Sequence, residues 1–114
     1  AGLEHSFPIA PLYKDNLQLL AQSGTTYTPT LLVIYGGPWT ENLFYQQYDI
    51  LTDEKLRRFT PLGELKARGL RRPGWWHPSQ YATPLIAAQA KKLVEAGGRV
   101  GVGSHGQLQG LGYH

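Results

Sequence analysis

Thr25-Thr26-Tyr27-Thr28-Pro29-Thr30-Leu31-Leu32-Val33-Ile34-Tyr35, closed by Gly36-Gly37-Pro38, is the stretch on which the fold turns. Its β-branched and aromatic residues favour a strand. Leu31 to Ile34 are apolar on both faces, the pattern of a strand in a parallel sheet covered on both sides. Pro29 has no amide donor and is expected at the start of the paired region.

Upstream, Tyr13 to Gln22 reads as a helix, with Leu12, Leu19, Leu20 and Ser23 at helical spacing and Ser23-Gly24 as its stop. Ala1 to Phe7, containing Glu4-His5-Ser6, is expected to end a buried strand, and Pro8 and Pro11 bracket a turn. Downstream, a helix is expected from about Gln80 to Ala96, with Pro84 in its first turn. Ile86, Ala90, Leu93, Val94 and Gly97 trace its apolar stripe, and Gly97-Gly98 ends it. Arg99 to Gly103 is then a short strand of small residues, followed by the glycine-rich stretch Gly106 to Gly112. Residues 36–80 form a long insertion after the Thr25–Tyr35 strand. It contains one expected short helix, Asp53 to Phe59, capped by Thr52, and an irregular run around Arg68 to Pro78. Strands alternating with helices predict right-handed βαβ units, an α/β class, and function on the loops after the strands.

The 114 residues allow one domain. A hydrophobic fraction of 41% with only 17% charged residues is globular rather than disordered. The absence of cysteine excludes disulfides, thiolate metal sites and thiol nucleophiles. No apolar run reaches the roughly 18 residues of a membrane helix. The chain contains no methionine, and its start at Ala1-Gly2-Leu3 reads as a cut from something longer. Much of the net charge of +3 sits at Lys66, Arg68, Arg71 and Arg72.

His5 and His105 each follow a predicted strand, and one strand separates theirs. In a parallel barrel both imidazoles project from the C-terminal rim, where neutral imidazole is the commonest metal ligand. A lone histidine is more often structural; two at equivalent strand ends weaken that reading. His77 and His114 are read as structural. Glu4, next to His5, is expected on the opposite face of its strand, toward a covering helix. Gly101-Val102-Gly103-Ser104-His105-Gly106 is no phosphate loop, since no Gly-Lys-Ser/Thr follows. Gly101 and Gly103 read instead as positions of close strand packing. Arg68-Gly69-Leu70-Arg71-Arg72-Pro73-Gly74-Trp75-Trp76 mixes cations and indoles in the manner of single-strand nucleic-acid binders, but an ordered lid with Arg72, Trp75 and Trp76 facing substrate is preferred.

Leu3-Glu4-His5-Ser6, the helix end Leu19-Leu20-Ala21-Gln22-Ser23-Gly24 and the segment Thr28-Pro29-Thr30-Leu31 together resemble the amidohydrolase superfamily, in its branch of imidazolonepropionase-like enzymes and metal-dependent dipeptidases. There a hydrophobic-Glu-His-Gly segment ends the sixth strand and Pro-Thr-Leu marks the seventh. Leu85 to Ala96 with Gly97-Gly98-Arg99-Val100-Gly101-Val102-Gly103-Ser104 is similar to the seventh helix and eighth strand. The resemblance covers nearly the whole chain except the insertion. It implies a partial (β/α)8 (TIM) barrel, roughly strands 6 to 8 with a long insertion after strand 7. It implies one or two divalent metals, zinc first, activating water for hydrolysis of a C–N bond in an amide, peptide or cyclic amide.

By this resemblance His5 stands at the sixth-strand metal ligand. His105 stands where the family carries an aspartate that binds metal and moves protons. The family's His-x-His of the first strand and its ligands on strands four and five are not in this chain. The expectation is therefore a fragment, inactive alone, of a hydrolase whose partners are a small molecule or peptide rather than nucleic acid or membrane, and whose open sheet edges drive self-association. The alternative is a non-catalytic α/β binding or assembly module.

Overall fold

The computed structural model describes residues 1–8, 10–69 and 74–105, except for the side chain of Arg68. Three short strands, β1 (Gly2–Glu4), β2 (Thr26–Thr28) and β3 (Arg99–Val100), form a parallel sheet in the order β1-β2-β3. Helix α1 (Lys14–Gln22) joins the first two strands. Between β2 and β3 the chain forms α2 (Thr40–Gln47), α3 (Glu54–Phe59), α4 (Leu62–Gly69), a 3-10 turn at Pro78–Gln80, and α5 (Thr83–Glu95). The α/β class and the parallel alternation are as expected from the sequence.

Leu3, Tyr27 and Val100 share one row of the sheet register. Tyr27 is buried with Ala90 and Leu93 of α5, and Phe7, Leu17, Leu20, Ala21 and Val100 pack around them. Each of the fully buried side chains here stabilises the fold by roughly 1.5–3 kcal/mol. Helices α1 and α5 pack against each other on this face. Gln89, also buried, is satisfied: its Oε1 accepts from the Leu12 amide at 2.9 Å and its Nε2 donates to the Leu85 carbonyl at 2.9 Å. Helix α5 ends in a Schellman turn, with the Gly97 amide donating to Val94 O and the Gly98 amide to Leu93 O. Gly97 takes φ +84°, which glycine adopts without a Cβ penalty.

Several expectations need correction. The strand predicted over Thr25–Tyr35 stops at Thr28. Pro29 lies past its end rather than at its start, and the chain turns where the Val33 amide donates to Thr30 O. Thr30, Leu32 and Ile34 are nonetheless buried, so the apolar pattern reports burial rather than extended pairing. Strand β1 is exposed at all three residues. Glu4, one step from Leu3, lies on the face opposite the helices and not toward one. In α1 the inward stripe is Leu17, Leu20 and Ala21, whereas Leu19 is 68% exposed. In α5, Gln89 takes an inward place and Val94 points out.

The insertion is mostly helical, with a hydrophobic cluster of its own: Tyr45, Ile50, Leu56 and Leu65, with Leu51 against them. The cap of α3 is Asp53, whose Oδ1 accepts from the Leu56 amide at 2.8 Å, and not Thr52. A buried polar triangle fastens α2 to the segment before α5. Asn42 Nδ2 donates to Tyr81 Oη and to Gln46 Oε1, and Tyr81 donates to the same Gln46 oxygen. Among the described residues no helix is long and apolar enough to cross a membrane.

Candidate functional site

The parallel register determines which side chains meet beyond the strand ends. The ladder continues past the strands: the His5 amide donates to Thr28 O at 3.0 Å, the Gly101 amide to Tyr27 O at 2.8 Å, and the Gly103 amide to Pro29 O at 3.0 Å. The chains leaving β1 and β3 therefore stay on either side of the chain leaving β2. A Cβ at Gly101 would stand 3.3 Å from Thr28 Oγ1, so the close strand packing expected at this glycine is present. These pairings carry His5 and His105 to the same end of the sheet, with ring centroids 5.3 Å apart and planes at 88°.

Both histidines have left-handed backbones, with φ +75° at His5 and +52° at His105. For an L-residue this costs roughly 1–2 kcal/mol. Two such residues facing each other are a place to look for function. His5 Nδ1 accepts from the Ser6 amide at 3.0 Å, which leaves Nε2 as its open nitrogen. His105 Nδ1 is buried and, among the described residues, has no hydrogen-bond partner.

An orphaned imidazole nitrogen beside a second imidazole is a fit for a divalent cation. Two imidazoles sharing one zinc at a metal–nitrogen distance of about 2.1 Å and a tetrahedral angle have ring centres about 5 Å apart. Binding through His5 Nε2 needs the ring proton on Nδ1, so the Ser6 hydrogen bond has to open. Among the described residues no set of three His, Cys, Asp or Glu is placed to hold an ion.

A third ring joins them. Tyr35, on the chain leaving β2, lies with its ring centroid 5.7 Å from that of His5. It carried no signal in the sequence, where it read as the last residue of a strand. Trp75 is 69% exposed, and Trp76 is tied by its backbone to Gln46 of α2. His77 caps the 3-10 turn, its Nδ1 accepting from the Ser79 amide. Arg72 and His114 lie outside the described residues.

Comparison with protein-family models, with curated proteins and with solved structures found no match. What the chain itself defines is a small α/β domain on a parallel sheet, with two histidines gathered at one end.

Proposed function

We propose that this chain is the C-terminal part of a metal-dependent hydrolase barrel that cleaves a C–N bond in an amide, peptide or cyclic amide. The observation that carries the reading is the meeting of His5 and His105 at the C-terminal end of a parallel sheet, 5.3 Å between ring centroids. Ligands and catalysts gather at that end in α/β barrels. The chain's resemblance to the amidohydrolases in Leu3-Glu4-His5-Ser6 and Thr28-Pro29-Thr30-Leu31 points the same way.

His5 and His105 hold the cation, and the imidazole donor set suits zinc. The ion, when bound, supplies a polarised carbonyl and a water of lowered pKa. His105 takes the place of a carboxylate, so it brings a neutral donor and moves a proton only through an imidazole nitrogen. The remaining ligands come from parts of the protein beyond this sheet, and the chain alone is inactive. Trp75 and Trp76 stand as lid residues toward a small-molecule or peptide substrate.

The test is zinc content by plasma mass spectrometry on the complete protein and on its His5→Ala and His105→Ala variants. The expected result is stoichiometric metal in the parent and loss from both variants, together with hydrolytic activity. Unchanged metal in His5→Ala removes the proposal. A parent that binds no metal favours the second reading, a non-catalytic α/β assembly module, for which the exposed edge strand β1 is the specific support.

A further inference from the structure

The insertion carries a groove of its own, about 430 Å³ in volume, where α2 ends and α3 begins. That is within the roughly 300–1,000 Å³ of small-molecule sites. Ile50 and Leu56, both buried, give it an apolar floor. Phe44 and Tyr48, one helical turn apart, line it with two exposed rings whose centroids are 4.8 Å apart. Asp49 and Asp53 supply its charge, and no lysine or arginine lines it. The chain as a whole is at +3, so this negative lining is local. Among the described residues neither carboxylate is in an ion pair. Each is held by one oxygen: Asp49 Oδ1 accepts from the Leu51 amide at 2.9 Å, and Asp53 Oδ1 from the Leu56 amide at 2.8 Å. The second oxygen of each is left for a ligand.

The helix ends favour the same sign of ligand. Helix α2 has no basic residue in its last turn, so the negative end of its dipole is uncompensated beside Tyr48. The positive end of α3 is already answered by Asp53 and Glu54. Aromatic faces attract cations as well. We propose that this groove binds an organic ammonium ion with an apolar body, its charge met by Asp49 and Asp53 and its body by Phe44, Tyr48 and Ile50. The site does not depend on the histidine pair or on any metal. An anion would meet two carboxylates there, and a neutral compound would leave their charge unanswered.

The experiment titrates the complete protein with phenethylammonium chloride at low ionic strength, read by calorimetry. The neutral 2-phenylethanol, of nearly the same shape, is titrated beside it. The expected result is saturable binding of the ammonium ion, about tenfold tighter than the alcohol. Asp49→Asn and Asp53→Asn keep the oxygen that accepts from the backbone and remove only the charge, so turn and helix cap stay intact. Each is expected to weaken Kd about threefold, and the double variant about tenfold. Phe44→Leu keeps the apolar bulk, loses the ring face, and weakens Kd several-fold. Asp15→Asn, at an exposed carboxylate on α1, keeps the parent Kd. Equal affinity for the ammonium ion and the alcohol overturns the inference, because the groove is then merely apolar. An unchanged Kd in the double variant or in Phe44→Leu overturns it too, since the cation then binds elsewhere. Absence of saturable binding overturns it outright.

Discussion

The side-chain amide of Gln46 closes both backbone hydrogen-bonding groups of Trp76: Nε2 donates to the Trp76 carbonyl at 3.0 Å and Oε1 accepts from the Trp76 amide at 3.2 Å. The same oxygen also accepts from Asn42 and Tyr81. A side chain here does what a neighbouring strand does in a sheet, and it fixes the path of the segment that carries Trp75 and Trp76. Gln46→Ala leaves those donors short of their common acceptor, and the expected cost is about 2 kcal/mol in urea unfolding. The variant also blue- or red-shifts the tryptophan emission of the folded chain. An unfolding midpoint and emission spectrum identical to the parent's exclude this role.

The two hydrophobic clusters belong to different parts of the chain, one between sheet and helices at Tyr27, Ala90 and Leu93, the other inside the insertion at Tyr45, Ile50, Leu56 and Leu65. Leu93→Ala and Leu65→Ala each remove a fully buried side chain, and each is expected to cost roughly 2–5 kcal/mol. The described residues of the two clusters are separate, so the double variant is expected to lose the sum to within about 0.5 kcal/mol. A coupling of more than about 1 kcal/mol in that cycle means the two cores are one cooperative unit.

The sequence announced the elements whose burial is apolar and periodic. Helix α5 was legible from Ile86, Ala90 and Leu93, and the place of both site histidines followed from strand order. In the insertion α3 was legible, expected over Asp53 to Phe59 and found at Glu54–Phe59, whereas α2 was not: it buries Glu41, Asn42 and Tyr45, which no hydrophobic period marks. The β2 strand was read too long because Thr30, Leu32 and Ile34 are buried by tertiary packing after Pro29 has ended the ladder. Tyr35 was missed for the same reason, since its approach to His5 depends on that turn and on the Gly36-Gly37 path.

Tyr27 links alkaline pH to stability. Burial raises its pKa above the ordinary 10.0, and the hydrogen bond from the Phe7 amide at 3.1 Å opposes the rise without cancelling it. Folding thus favours the neutral phenol. The contribution is intact below about pH 10 and is lost as pH climbs from there through the raised folded value. Tyr27→Phe is expected to cost about 1 kcal/mol at neutral pH, through the unpaired Phe7 amide, and to flatten part of the decline above pH 10. Parallel stability–pH curves for parent and variant between pH 9 and 11 contradict the assignment.

The outer edge of β1 is one of the two edges of the described sheet. Ala1 O accepts from the Thr26 amide and the His5 amide donates to Thr28 O, so the odd-numbered residues face β2. By the alternation of a parallel ladder, the amide and carbonyl of Gly2 and Glu4 face outward. An exposed edge of this kind pairs with another chain unless something blocks it. The chain is therefore expected to associate with itself in a concentration-dependent way, read by light scattering behind size exclusion. Glu4→Pro removes one outward donor without touching the ladder to β2, and it is expected to shift the equilibrium toward monomer by several-fold or more. Glu4→Gln, which keeps the amide and changes only the charge, separates the edge effect from electrostatics. If Glu4→Gln dissociates the assembly as well as Glu4→Pro does, the contact is electrostatic. If the parent runs as a monomer at every concentration, the edge is already protected.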